Sequence, residues 1–338
     1  MKKVVITGER SVSLVDVPDP RPKENWALVK VLVAPMCTEY KMYRDGRPAE
    51  FLGHEAVGEV VAIAQPGRVK AGDRVVVMPL YSCGKCELCV SGDYIHCERA
   101  PDFAEFTGSP EGRATYAQYL LKPDWLLPAI PDRVSYESAA LALCALGPSF
   151  GAFQSTNLRA FDAVLITGLG PVGLGAIVNA RFRNARVIGV ELGEWRAERA
   201  RQMGAEAVLD PRAGDILDKI LEMTDGKGVD CALDCSGTVQ AQRLCVDATR
   251  RRGRVAFVGE CNDELPIRVS PDMIRKGLTV IGSWHYNLKD YPGVMQVIRQ
   301  SPLIHLLVSH VMPMRNVRDA FELQIAGQCA KILLRPWD

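Results

Sequence analysis

Ala163-Val164-Leu165-Ile166-Thr167 runs directly into Gly168-Leu169-Gly170-Pro171-Val172-Gly173, an apolar stretch of strand length that breaks into G-x-G-x-x-G. Strand, tight turn and helix start are expected here in that order. In such a unit the first glycine makes the turn and the second lets a pyrophosphate approach the backbone. The third lets helix and strand close on each other. Gly168, Gly170 and Gly173 take these places, and Pro171 and Val172 open the helix. The hexapeptide alone is a weak signal, because a glycine turn can exist without a ligand. Its surroundings strengthen it. The next apolar run, Arg186 to Glu191, ends in an acid about 20 residues on, where a carboxylate binds the adenosine ribose hydroxyls. A carboxylate there repels a 2′-phosphate and favours NAD over NADP. Arg196 and Arg199 stand close enough to keep NADP as the lesser alternative.

Outward from this loop, strand-like and helix-like runs alternate, the mark of repeated βα units on a parallel sheet. The strands are expected at Ala163 to Thr167, Arg186 to Glu191, Ala207 to Leu209, Asp230 to Asp234, Arg254 to Gly259 and Thr279 to Gly282. Helices are expected at Glu194 to Met203 and Ile216 to Met223. Six strands of this kind make a full doubly wound dinucleotide sheet. Ser236, after Cys235, and Gly259, after Val258, end strands at the edge that carries the glycine loop. They are expected to line the nicotinamide half, although loop residues also stand there without contacts.

Before this region the texture differs. Ala27 to Val33, Val57 to Ile63 and Arg74 to Val77 are short alternating runs set among turns, which reads as a compact β domain. The tail from about Tyr286 is mixed and ends on a strand at Lys331 to Leu334. The division expected is 1–146, 147–286 and a return over 287–338.

Across 338 residues, Lys plus Arg number 41 and Asp plus Glu 40, so no global charge draws the protein to nucleic acid or an anionic membrane. The longest apolar runs are far short of a membrane span. Gly8-Glu9-Arg10 interrupts the opening Met1 to Ile6, so no export segment is expected and a cytoplasmic location is.

Four of the eleven cysteines fall in Cys83-x2-Cys86-x2-Cys89-x7-Cys97. Four thiolates can close a tetrahedral shell around Zn2+ with no open position, so such a zinc holds its loop (about 80–100) in shape. An iron–sulfur cluster and free structural thiols are the alternatives, since ferredoxin-type spacings also use C-x2-C-x2-C. His96, beside Cys97, is read as a bystander. Cys37, His54-Glu55 and Cys144 stand apart from the cluster, and each taken alone is as readily a core residue as a ligand.

Together these features resemble the zinc-containing medium-chain alcohol dehydrogenases along nearly the whole chain. Gly53-His54-Glu55-Ala56-Val57-Gly58-Glu59-Val60 looks like the family's metal-binding signature, and Gly72-Asp73-Arg74-Val75 like the strand after it. Ala139-Ala140-Leu141-Ala142-Leu143-Cys144-Ala145 resembles the segment bearing the third catalytic ligand. The resemblance implies a mainly β GroES-like catalytic domain with a Rossmann cofactor domain. It also implies two zincs per chain, a catalytic one on Cys37, His54 and Cys144 and a structural one on the cysteine lobe. Glu55 is then a neighbour of the ligands or an occasional ligand itself. The reaction implied moves a hydride between a small-molecule alcohol and NAD, with the proton leaving through a hydroxyl relay. A homodimer or homotetramer is implied too, with contacts near Thr279 to Ser283.

Two places depart from the family pattern. Cys37-Thr38-Glu39 is one residue short. With the gap after Cys37, Thr38 is the relay hydroxyl and Glu39 orients His54; without a gap, Glu39 itself sits at the relay position. Lys41 or Tyr40 stands where many relatives pass the proton on through a His. After Cys144, Pro148 replaces a Thr that often meets nicotinamide, and Ser149 is the candidate substitute. Glu39, Lys41, Arg44, Glu50 and Trp284-His285-Tyr286, if they line the cleft, suit a polyol, sugar, cyclitol or amino alcohol. The rivals are a non-catalytic zinc and nucleotide-binding relative and a zinc-independent quinone reductase-like enzyme.

Overall fold

The computed structural model describes residues 1–338. The chain forms two compact units. The first comprises Met1–Leu143, Asn287–Arg299 and Val308–Asp338; the second comprises Cys144–Tyr286 and Gln300–Leu307. No helix is long and apolar enough to cross a membrane.

The first unit is mainly β. β1 (Lys2–Gly8) and β2 (Ser11–Asp16) form an antiparallel hairpin. β3 (Trp26–Pro35), β4 (Ala56–Ile63) and β5 (Arg74–Val77) are antiparallel neighbours, and β6 (Tyr119–Pro123) lies on the other side of β3. Val29 and Val31 of β3, Val60 of β4 and Val75 of β5 are fully buried, and they meet Tyr43, Tyr116 and Phe321 in one core. A second, aromatic cluster holds Trp26, Phe103 and Leu121, with Tyr81 stacked on Trp26 at 5.4 Å.

The second unit carries β7 (Ala163–Thr167), β8 (Arg186–Val190), β9 (Ala207–Leu209), β10 (Val229–Asp234), β11 (Thr249–Phe257) and β12 (Thr279–Gly282). All are parallel, in the order β12-β11-β10-β7-β8-β9. This is the doubly wound order of a dinucleotide fold, and it reverses between β7 and β10. Helices on both faces explain why β7 is buried along its whole length. β11 begins at Thr249, five positions before the expected Arg254. Thr249 pairs with Val229 and Arg254 with Cys231, so Arg250 to Gly253 form a bulge between them, with the Arg250 side chain ion-paired to Asp230 at 2.6 Å.

The chain then returns to the first unit. β13 (Val308–Pro313) lies parallel to β14 (Lys331–Arg335), and β14 runs antiparallel to β3. Residues 300–307, within the segment expected to belong wholly to this return, belong to the second unit instead.

Candidate active site

The glycine loop lies at the switch point of the parallel sheet. Gly168 has φ +78°, and a Cβ on Gly173 would stand 2.0 Å from the Gly168 carbonyl oxygen. Turn and helix therefore close as the sequence requires. At Gly170, which precedes the helix Pro171–Phe182, a Cβ would meet only Arg196 Nη1 at 3.9 Å. That is open space in front of a helix N-terminus, where a pyrophosphate fits. The Glu191 carboxylate accepts from the backbone N–H groups of Leu169 (2.7 Å), Leu192 (3.0 Å) and Gly193 (2.9 Å). It thus braces the loop from the end of β8.

Ser236 and Gly259 flank the same edge. Ser236 donates to buried Asp234, whose carboxylate also accepts from Thr167 Oγ1 at 2.8 Å. Gly259 is required by packing, since a Cβ there would lie 2.2 Å from Gly237 N. Ser149 does not substitute for the expected hydroxyl at the nicotinamide. It is fully buried, donates to Leu146 O and accepts from Asn179 Nδ2.

In the first unit, the sulfurs of Cys83, Cys86, Cys89 and Cys97 all lie within 4.8 Å of one another. Cys83 and Cys89 are 3.9 Å apart and Cys86 and Cys89 3.4 Å. Zn–S bonds of about 2.3 Å make a tetrahedral edge of about 3.8 Å, so one zinc fits. A cluster with irons and sulfides between the thiolates would spread them farther. Backbone N–H groups point at the sulfurs, as Cys83 N does at Cys97 and Cys86 N at Cys83. Such bonds, the Cys89 N–H first among them, hold the Cys86 thiol down at about 6. His96 is exposed and outside this set.

A second group brings together Cys37, His54, Glu55 and Cys144, again with ligand atoms within 4.8 Å. Cys37 follows β3, His54 and Glu55 precede β4, and Cys144 directly follows the buried Leu141-Ala142-Leu143. Two thiols, an imidazole and a carboxylate in this space suit one zinc.

Glu39 Oε1 lies 2.8 Å from His54 Nδ1, which turns Nε2 toward the group. The Glu39 carboxylate also accepts from Tyr116 Oη at 2.9 Å and Cys37 N at 3.0 Å. Burial pushes its carboxyl up, but the His54 charge and these donors hold it at about 2. Glu39 is therefore an ionised brace and does not line a cleft, and the segment Cys37-Thr38-Glu39 takes the gapped arrangement. Thr38 is exposed.

Glu55 is fully buried, and its Oε1 accepts from Lys331 Nζ at 2.7 Å. Gln324 donates to the Cys37 carbonyl at 2.9 Å. Neither Lys331, Gln324 nor Tyr116 is marked by the sequence, and only the charge opening the apolar run Lys331-Ile332-Leu333-Leu334 hints at one of them.

Arg44 is exposed and paired with Asp45. His285 and Tyr286 are buried and stacked at 4.6 Å, packed against Gly147 and Gly151, and only Trp284 is exposed.

A doubly wound dinucleotide sheet, in one chain with a mainly β unit and two thiol-rich ligand sets, defines a zinc-dependent, nicotinamide-linked dehydrogenase. Comparison with known proteins makes this particular. The model of the alcohol dehydrogenase GroES-like domain matches residues 23–132, and that of the zinc-binding dehydrogenase matches 171–300. Sorbitol dehydrogenase of Bacillus subtilis is 30% identical over 351 residues, covering 99% of this chain and 97% of its own. L-threonine 3-dehydrogenase of Pyrococcus horikoshii is 31% identical over 333 residues, covering 94% and 93%. Among solved structures, alcohol dehydrogenase TADH from Thermus sp. ATN1 matches with a TM-score of 0.90 at 27% identity, covering 99% of each chain. The chain belongs to the zinc-type medium-chain alcohol dehydrogenases and is an alcohol dehydrogenase enzyme.

Proposed function

We propose that this enzyme oxidises a secondary alcohol bearing further hydroxyl or amino groups, with NAD as hydride acceptor and two zincs per chain. The observation that carries the site assignment is the convergence of Cys37, His54, Glu55 and Cys144 within 4.8 Å. Cys37, His54 and Cys144 hold the catalytic ion and Glu55 is kept aside by Lys331; Cys83, Cys86, Cys89 and Cys97 hold the structural one. When bound, zinc lowers the pKa of an alcohol and nicotinamide accepts its hydride.

The rest falls to the chain's own residues. Glu39 fixes the His54 tautomer by taking the proton of Nδ1, and Gln324 and Tyr116 steady Cys37 and Glu39 in turn. Thr38 Oγ1 takes the substrate's hydroxyl proton. As it does so its own O–H proton passes to water, which reaches exposed Thr38, so no His is needed farther along. Gly168, Gly170, Pro171, Val172 and Gly173 cradle the pyrophosphate and Glu191 receives the adenosine ribose. Arg196, beside Gly170, faces the phosphates, and Ser236 and Gly259 border the nicotinamide half. The order of the glycine loop and Glu191 supports NAD over NADP.

The substrate class draws on the relatives, one a sorbitol and one a threonine dehydrogenase. Steady-state rates with NAD for sorbitol, threonine and aliphatic alcohols of matched length test it. The polyol or amino alcohol is expected to exceed the aliphatic one about tenfold in kcat/KM, a difference two or three lost hydrogen bonds would produce. Preference for the aliphatic alcohol would overturn the substrate assignment. We further assign a homo-oligomer formed through the β12 edge, where Val269, Ile274 and Trp284 are exposed. Light scattering that returns a monomer mass would refute it.

A further inference from the structure

Against the cysteine lobe, with Cys83 and Cys89 in its wall, the first unit has a cavity of about 720 Å³. That is the size of a small-molecule site, within the range of about 300–1,000 Å³. None of Cys37, His54, Glu55 or Cys144 lines it. Its walls come from the stretch leading into β3, the turn after β4, the lobe, the segments around Phe106 and Trp125, and the returning segment.

The turn after β4, the lobe and the returning segment contribute one cation each, Arg68, Lys85 and Lys289. All three are exposed, and none is paired with a carboxylate. Two acids also line the cavity. Asp124 is buried and already taken, accepting from Asn25 Nδ2 at 3.1 Å and from Arg68 N at 2.8 Å. Glu24 is exposed and unpaired. Phe106 and Trp125 supply ring surface, and the Trp125 indole N–H has no acceptor.

Three unclaimed cations call for a polyanionic group, and a phosphate carries the charge and the acceptors to meet several of them. The rings call for a flat apolar body, which a bare phosphate lacks. Glu24 calls for hydroxyl or amine donors, which an aryl phosphate lacks. We propose that this cavity binds a nucleoside monophosphate, its base against Trp125 and Phe106, its ribose hydroxyls toward Glu24 and its phosphate among Arg68, Lys85 and Lys289.

Such a ligand would brace the lobe. Lys85 lies between Cys83 and Cys86, and a Cβ on Gly84 would stand 2.9 Å from Trp125 Nε1. Asn287 and Leu288 already tie the returning segment to the lobe through Ser91 O (2.9 Å) and Gly92 O (3.0 Å). A phosphate bridging Lys85 to Lys289 and Arg68 adds to these ties, so release of the lobe's metal slows when it is bound.

Equilibrium dialysis of the zinc-loaded enzyme with labelled AMP, in saturating NAD, tests the site. NAD keeps AMP off the glycine loop. With NAD saturating, one AMP per chain is expected to remain bound, and to slow transfer of one zinc to a chelator severalfold. Arg68→Ala with Lys289→Ala is expected to weaken AMP at least about tenfold, the loss of more than one charge-assisted contact, and to leave alcohol oxidation unchanged. Trp125→Phe, which keeps a ring but removes the N–H, is expected to weaken it less. AMP that NAD fully displaces, AMP indifferent to both cations, or inorganic phosphate binding as tightly as AMP would each overturn the proposal.

Discussion

Lys331 Nζ stands 2.7 Å from Glu55 Oε1, with both side chains at most 1% exposed and the two residues 276 positions apart in sequence. The lysine opens the last strand and the acid sits among the ligands that precede β4. Burial pushes the Glu55 carboxyl up to about 7, against the pull of Lys331. Removing one member of a buried pair leaves the other uncompensated in a medium that cannot solvate it, at a cost of about 3–5 kcal/mol. Lys331→Met is therefore expected to lose stability on that scale in denaturant unfolding. Adding Glu55→Gln to it should restore more than half. An additive double mutant would show that the two residues act separately.

Glu39 is the second brace. With His54, Tyr116 and the Cys37 N–H all on its carboxylate, Glu39→Ala is expected to weaken the catalytic metal about 10- to 100-fold. Glu39→Gln keeps an acceptor and should fall between. Zinc retention on dialysis against a graded chelator reads this directly, and equal retention by all three proteins would refute the role.

Glu191 serves both the loop and, as proposed, the ribose. Glu191→Ala is expected to raise KM for NAD about tenfold or more, the worth of a charge-assisted bond or two, and to narrow the preference over NADP. An unchanged KM ratio between the two cofactors would remove Glu191 from ribose recognition and leave it only its backbone bonds.

Lys122 makes stability depend on pH. It is 3% exposed, and burial lowers its ammonium from 10.5 to about 7, although Nζ donates to Leu80 O and sits 4.0 Å from the Tyr81 ring. Between pH 7 and 10.5 the unfolded chain holds more protons than the folded one, so stability rises with pH across that window. Below pH 7 this contribution is flat. Lys122→Met should show a shallower rise in Tm than the parent from pH 7 to 9.5, and parallel curves would contradict the assignment.

How far the sequence carried these conclusions varies with the range of the interaction. β7, β9 and β12 occupy the residues that their apolar runs mark; β7 is buried along its length, and a buried parallel strand is a local pattern, while β9 and β12 are the half-buried sheet edges. The lobe is equally legible, since two-residue spacers put neighbouring thiols on one ion. The catalytic set is different: Cys37, His54 and Cys144 were assembled only through resemblance. Lys331 and Gln324 were missed because their partners lie 276 and 287 positions away, with no local periodicity to announce them. Ser149, His285 and Tyr286 show the opposite error: each is polar and near the expected cleft, yet each is buried and spent on internal contacts.

The most direct test of the central claim is zinc content per chain, measured by elemental analysis on the native enzyme and on Cys144→Ala, alongside alcohol oxidation with NAD. Two zincs in the parent, and one with no turnover in the variant, are the expected result. One zinc in both proteins, or turnover untouched by the substitution, would contradict a catalytic ion held by Cys37, His54 and Cys144.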